Sequence, residues 1–303
     1  MMTRYDLVQN RVVLSDQQSP ILVFINPDES EKKFLVEEYK IDEHTLNSAL
    51  DPDELSRLEF EPEHTALIFK RPRNYSGKNQ LLFKVSSCGV FLFKEQLIIV
   101  MTDDIALFEG KIFNVVQTLP ELMLKLIFRT ISHFVEHLKI FNMITDDLER
   151  KINKAMENKY LLNLFTLEKS LVYYLNSINS NGALIEKLKY NSTKLGFTSE
   201  QLEILDDLII ENSQCYRQAE IHSNILASLM DARASIVGNN LNVLMKTLNL
   251  ITVGIMVPTL VVSIFSMNVP IPGQEHPISF WMILALAATS VGGMMFFWKM
   301  KRW

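Results

Sequence analysis

The chain has 303 residues and a formal net charge of −5, and 48% of its residues are hydrophobic. The length allows two domains with a substantial buried core. The acidic balance implies no basic face for a phosphate backbone, which argues against nucleic acid as the main partner. Cys88 and Cys215 stand far apart and lack the spacing of a metal site, so we expect a reducing compartment.

Residues 1–110 are expected to form an α+β domain, since short stretches rich in Val, Ile, Leu and Phe alternate with turn residues. Few helices separate these stretches, which favours a mostly antiparallel sheet. Short helices are predicted at 42–50 and at 52–58, the second with Asp51 as its N-cap. A basic loop is predicted at 71–78. The predicted strands are 5–14, 21–26, 65–70, 81–86, 89–93 and 97–100.

Residues 111–241 are expected to form a helical stalk, because apolar residues recur there every three to four positions. Helices are predicted at 112–158 and 160–195, the second ending at Gly196. A third helix begins near Ser199, in the capping-box sequence 198–201, and meets no strong breaker before Pro258. If it continues to Phe265, it is about 100 Å long at about 1.5 Å per residue. So long a helix needs lateral partners in a bundle or coiled coil.

Residues 242–303 are expected to form a transmembrane hairpin with a basic tail. Two charge-free apolar spans, 247–265 and 279–298, are each long enough to cross a hydrocarbon core of about 30 Å. Lys and Arg flank both ends of the hairpin and are absent from the turn between the spans. The positive-inside tendency therefore predicts a multi-pass protein of the cell (inner) membrane with both termini in the cytoplasm.

A seam of small polar residues and one methionine runs along the first span at spacings of three, four or seven. The seam comprises Asn242, Asn249, Thr252, Met256, Thr259, Ser263 and Ser266. Such a seam is typical either of a helix–helix interface or of a pore wall, which would need several copies around an axis. Periodicity alone does not distinguish the two.

The turn after the first span, Ser266-Met267-Asn268, resembles the Gly-Met-Asn signature of the CorA family of divalent-cation (magnesium/cobalt) transporters. The order of an α+β cytoplasmic domain, long stalk helices, two spans and a basic tail is also similar to that family. The resemblance implies a funnel-shaped homopentamer whose first span lines the pore. It also implies that residues 266–268 form an ion filter, in which Asn268 holds hydrated Mg²⁺ at the outer mouth.

The resemblance extends to further positions. Asn242 matches an inner pore asparagine, and Leu248 and Met256 match a hydrophobic constriction. The full set of expected pore-lining residues is Asn242, Met245, Leu248, Asn249, Thr252, Met256, Thr259 and Ser263. Asp231 matches an aspartate of a regulatory Mg²⁺ site between subunits. The chain departs from the family in Ser266 and Phe265, which replace Gly and Tyr, and in residues 73–77, which lack the expected partner carboxylate.

The cargo that best fits these residues is Mg²⁺, because this ion prefers oxygen ligands and loses its water shell reluctantly. Co²⁺ and Ni²⁺ are expected as passengers. A zinc transporter of the same superfamily is the alternative, although His and Cys are sparse near the pore. A membrane-anchored coiled-coil scaffold without transport is a second alternative, and it leaves Asn242, Asn268 and the seam unexplained.

Two other patterns have ordinary explanations. His133, Glu136 and His137 fit the H-x-x-E-H pattern of some zinc proteases, but no third ligand stands out and such patterns arise by chance in helices. Residues 146–149 contain three acids that are typical of a solvated helix face, with a cation-sensing patch as the rarer alternative. The chain is therefore not expected to be an enzyme.

Overall fold

The computed structural model of the protein describes residues 2–17, 19–75, 81–154, 158–269 and 277–301. The chain divides into two compact units, Met1–Met230 and Asp231–Trp303.

In the described part of the first unit, a seven-stranded sheet has the order β2-β1-β3-β7-β6-β5-β4. The strands are β1 (Met2–Val8), β2 (Arg11–Leu14), β3 (Ile21–Ile25), β4 (Arg57–Phe60), β5 (Thr65–Pro72), β6 (Val85–Leu92) and β7 (Leu97–Met101). Only β3 and β7 pair in parallel; the other pairs are antiparallel. The prediction of a mostly antiparallel sheet is confirmed.

Three strand predictions have the wrong boundaries, because turns and strand ends depend on local backbone geometry. Residues 5–14 form a hairpin instead of one strand, since Gln9 and Asn10 adopt φ angles of 50° and 62°, the left-handed values that a tight turn requires. Conversely, 81–86 and 89–93 are not separate strands, because β6 runs through Gly89. A Cβ on Gly89 would lie 2.5 Å from the Ala49 Cβ, so glycine here allows a helix to pack closely on the sheet.

The predicted helix at 52–58 is also wrong. Its last two residues begin β4, in which Arg57 pairs with Ile68 of β5, and pairing with a neighbouring strand outweighs the local preference for helix. A helix at Glu29–Tyr39 (α1) went unpredicted, although Asp28 and Glu31 form a reciprocal capping box at its start. The helix at Glu43–Leu50 (α2) is confirmed, with Asp42 as its N-cap.

The long helices follow a 3₁₀ turn at Lys111–Asn114. They are α3 (Leu119–Lys154), α4 (Asn158–Tyr190), α5 (Ser192–Leu195), α6 (Ser199–Phe265) and α7 (Ser279–Lys301). Residues 155–157 of the helix predicted at 112–158 lie outside the described ranges. Gly196 ends α5 with a φ of 68°, and Thr198 and Gln201 exchange hydrogen bonds of 3.0 and 3.3 Å before α6. Both sequence signals are therefore confirmed, but the helix predicted from 112 begins only at Leu119, and the helix predicted at 160–195 is interrupted at Asn191.

Helices cover both faces of the sheet. Alternate residues of β5 point to opposite faces, so Ile68 packs with Leu35 of α1 and Leu46 of α2. Phe69 lies on the other face, in a larger core with residues of α3, α4 and the first part of α6. The core contains the buried side chains Ile127, Phe134, Tyr174, Leu205 and Leu208. This arrangement holds the start of α6 firmly within the first unit.

Candidate functional site

The second unit contains the apolar part of α6 and all of α7. Each helix has an 18-residue window with few charges, and the mean hydropathies of the two windows are 2.2 and 1.8. Neither window is buried within the described chain. Length and composition suit both helices to a bilayer, and so much uncovered apolar surface requires lipid or further protein around it.

The contact between α6 and α7 is marked by the half-buried residues of each helix. In the apolar part of α6 these are Leu250, Gly254, Val257, Pro258 and Val261. On α7 they are Ser279, Ile283, Ala287, Ser290, Val291, Met294 and Trp298, which also recur every three to four positions. A Cβ on Gly254 would lie 3.7 Å from the Met294 Cε, so the glycine lies directly against α7.

The polar seam lies on the opposite side of α6. At about 100° per residue, Thr252, Met256 and Ser263 lie about 160–180° around the helix axis from Gly254. The eight expected pore-lining residues all lie at least about 120° from it by the same geometry, and all eight are exposed. Since α7 does not cover the seam, an interface along it would need another chain, as a pore would.

The threonine hydroxyls of the seam present oxygen rather than hydrogen to their surroundings. The Oγ1 of Thr252 donates to the backbone oxygen of Leu248 at 2.9 Å, and that of Thr259 donates to Ile255 at 2.6 Å. Each hydroxyl proton is therefore used inside the helix, and the oxygen lone pairs remain available. A wall of acceptors suits a cation or the water around it.

Long apolar side chains lie on the same side as the seam. The exposed fractions are 56% for Met245, 58% for Leu248 and 63% for Met256. This side of the helix is therefore not uniformly polar: the part up to Met256 carries three long apolar side chains besides its polar residues, and the part after Met256 carries mostly hydroxyls.

α6 ends at Phe265, at the predicted residue. Both the backbone nitrogen and the Oγ of Ser266 donate to the backbone oxygen of Ser263, at 3.2 and 3.1 Å. Among the described non-glycine residues with positive φ, Ser266 does not occur, so its serine side chain causes no left-handed strain. Met267 and Asn268 follow in an exposed bend. The acid Glu275 of the predicted turn lies outside the described residues.

Asp231 is exposed on α6 and is the first residue of the second unit. Within the described ranges, no three His, Cys, Asp or Glu side chains gather into a metal site. In the segment where a partner carboxylate is expected, Arg73 pairs with Asp103 at 2.5 Å and Tyr75 stacks on Phe83. Residues 76 and 77 lie outside the described part of the chain.

The zinc-protease hypothesis is wrong for structural reasons. The Nδ1 of His137 lies 2.7 Å from the Tyr174 hydroxyl in the core, and Glu136 pairs with Arg129 at 2.9 Å. Burial, followed by the charge of His137, lowers the pKa of His133 to about 3, and burial lowers that of His137 to about 4. These imidazoles are neutral parts of the α3 core.

The three acids of segment 146–149 are exposed on one helix and form a solvated face. Asp147 pairs with Lys151 at 2.6 Å, Asp146 accepts a long hydrogen bond of 3.5 Å from Asn142, and Leu148 is buried.

The residues that join α6 to α7 were not predicted from the sequence. Pro258 lies inside α6, as a helix that continues to Phe265 requires, and a proline clashes with the carbonyl four residues earlier. That residue is Gly254. A glycine at this spacing before a proline is the signal that could have indicated the close contact.

Comparisons with known proteins agree with this architecture. Residues 16–302 match the family model described as "CorA-like Mg2+ transporter protein". The cobalt/magnesium transport protein CorA of Methanocaldococcus jannaschii is 24% identical over 298 residues, covering 92% of this chain and 89% of the relative.

Solved structures show the same fold. The complete structure of the CorA magnesium transporter from Methanocaldococcus jannaschii matches with a TM-score of 0.84 and 19% identity, over 99% of this chain and 97% of that one. The full-length CmaX protein matches with a TM-score of 0.69 and 16% identity, over 98% and 90%. The ZntB cytoplasmic domain from Vibrio parahaemolyticus matches with a TM-score of 0.60 and 11% identity, over 78% and 98%.

These findings confirm the predicted fold class: an α+β domain, long helices and two C-terminal apolar helices. The protein is an integral membrane transport protein and not an enzyme. Because the family model covers nearly the whole chain, the chain belongs to the family of CorA-like Mg²⁺ transporter proteins.

Proposed function

We propose that copies of this chain, five in number from the family resemblance, surround an axis with the seam of α6 facing inward. The pore so formed carries hydrated divalent cations, above all Mg²⁺, with Co²⁺ and Ni²⁺ as lesser cargo. The observation that supports this most is the position of the seam, which lies opposite the α7 contact and is uncovered in the single chain.

Residues 266–268 form the outer filter in this proposal, and Asn268 contacts the ion. A ring of amide oxygens accepts hydrogen bonds from the water shell of Mg²⁺ without removing it. Because the amides are neutral, they hold the ion more weakly than carboxylates would, which allows it to leave. Asn268 is exposed immediately beyond α6, where such a ring would need it.

The other expected pore-lining residues have two roles in this proposal. Rings of Met245, Leu248 and Met256 close the pore by excluding water. The side chains of Asn242, Asn249, Thr252, Thr259 and Ser263 supply oxygen acceptors along the path. With both termini in the cytoplasm of a cell whose inner membrane is negative inside, entry gains about 2.3 kcal/mol per charge per 100 mV.

Asp231 is proposed as one ligand of a regulatory Mg²⁺ held between subunits. It is exposed and ion binding there requires oxygens from a second chain. In the variant Asp231→Ala, a higher Mg²⁺ concentration should be needed to inhibit the flux. The control Asp207→Ala changes another exposed acid of α6 and should leave that concentration unchanged. Equal Mg²⁺ sensitivity of wild type and D231A would remove Asp231 from this role.

The main experiment is ion flux into proteoliposomes, with Mg²⁺, Co²⁺ and Zn²⁺ presented separately. Mg²⁺ entry driven by an inside-negative potential supports the proposal. Movement of Zn²⁺ alone identifies the zinc transporter, and movement of no ion identifies the scaffold. The mass of the detergent-solubilised particle tests the assembly, because a monomer has no axial pore.

A further inference from the structure

A cavity of about 170 Å³ lies in the first unit, between the sheet, α3 and the segment that follows β7. α3 contributes Arg129, Thr130 and His133 to its wall, and the sheet contributes Arg71 and Cys88. One water needs roughly 10–15 Å³ of such volume, so the cavity has room for several waters, or for a small polyatomic ion with some of its water. It is separate from the residues of the proposed pore.

Arg71 is the unusual member of the wall. It is only 6% exposed, because it continues the β5 face that carries Phe69 towards α3. Its Nη1 contacts the Met101 Sδ at 3.3 Å, and sulfur is a weak acceptor. No carboxylate in the described part of the chain forms an ion pair with it. A guanidinium remains protonated in proteins, so a buried and unbalanced one is costly.

The neighbouring groups balance this charge only in part. Asp103 pairs with Arg73 through one oxygen and attracts Arg71 from a distance, without an ion pair between them. Glu109 is an exposed residue at the rim of the cavity. The Cys88 thiol is neutral, because burial raises its pKa to about 11. His133 is neutral too, and Arg129, which pairs with Glu136, adds a second guanidinium to the wall. The cavity therefore favours an anion.

We propose that this cavity binds an oxyanion of the phosphate class, with Arg71 as its principal ligand. The planar guanidinium presents paired N–H donors that match two oxygens of a phosphate. Arg129 and Asn74 also line the wall, and both residue types carry N–H donors. The phosphate group could be free, or it could be the terminal group of a nucleotide whose remainder lies outside the cavity.

The test is phosphate binding to the detergent-solubilised full chain, measured by titration calorimetry in EDTA and in chloride buffer. We expect one site per chain, a rise in the unfolding midpoint with phosphate, and at least a tenfold loss of affinity in Arg71→Met. The matched control is Arg11→Met, which removes the same charge from an exposed position on β2; it should bind as wild type does.

Three outcomes would overturn the proposal: no phosphate binding by wild type, equal binding by R71M, or equal weakening by R11M. Folding of R71M is checked by its unfolding midpoint without phosphate. Removal of a buried charge that is balanced only in part should maintain or raise that midpoint. If the unfolding midpoint of R71M is lowered and phosphate does not change the midpoint of wild type, Arg71 has only a structural role. ATP that competes with phosphate at lower concentration supports a nucleotide source, and ATP that fails to compete supports free phosphate.

Discussion

The pair His133 and His137 should make the first unit sensitive to acid. Both imidazoles are folded in neutral form, since burial is the main cause that lowers their pKa values from 6.5 to about 3 and about 4. Between pH 6.5 and about pH 4, the unfolded chain therefore binds more protons at these two histidines than the folded chain does. Stability is fully present above pH 6.5 and is lost as the pH falls below it.

The magnitude follows from the ordinary pKa of histidine. Each imidazole that stays neutral in the folded chain lowers the free energy of unfolding by about 1.4 kcal/mol for each pH unit below 6.5. At pH 5 the loss is therefore about 2 kcal/mol per histidine. In a unit of this size, 1 kcal/mol corresponds to about 2–4 °C in the unfolding midpoint. Wild type should therefore lose about 4–8 °C more than His133→Leu between pH 7.5 and pH 5, because the variant lacks one titrating group.

The assay is thermal unfolding of the detergent-solubilised chain in phosphate-free buffers from pH 7.5 to pH 5. His44→Leu, which changes an exposed histidine on α2, is the matched control and should follow the wild-type curve. If H133L loses as much stability as wild type on acidification, the neutral buried imidazole is not the cause and the reasoning is refuted.

Three further variants test other parts of the molecule. Asn268→Ala should abolish Mg²⁺ flux and leave the oligomer intact by mass; wild-type flux in this variant would exclude Asn268 as the filter. Gly254→Leu should weaken the α6–α7 contact by about 1–3 kcal/mol, because the added side chain overpacks against Met294. Its unfolding midpoint should therefore be lower than that of the control Gly238→Leu, in which the added side chain meets open space. His64→Phe should stabilise the chain by about 1–3 kcal/mol, because neither buried ring nitrogen has a hydrogen-bond partner within the described ranges; a lower midpoint would show that His64 is needed.

Much of the helical part could be predicted because its signals are local. The start of α6 depends on Thr198 and Gln201, which are close in sequence, and its end depends on the change from apolar residues to the turn at Ser266. The apolar spans are recognisable for the same reason, since a bilayer imposes a length that a continuous sequence shows directly.

Other features could not be predicted because they depend on residues far apart in the chain. Arg57 joins a strand through Ile68 of β5, and no local pattern indicates that pairing. Arg71 belongs to a segment predicted as a basic loop, yet β5 includes it and α3 covers it. The side of α6 that carries the seam was predictable from its period, but its position opposite α7 required the contact between Gly254 and Met294.

The proline within α6 has a mechanical consequence. Pro258 has no N–H group, so the carbonyl of Gly254 receives no hydrogen bond from it and the ladder of the helix is interrupted at that point. Helices bend most easily at such positions. Leu248 lies before the interruption, whereas Thr259, Ser263 and Asn268 lie after it. In the proposed pore, the filter end of the helix could therefore tilt about this point while the proposed constriction stays in place, so that the two ends need not open together.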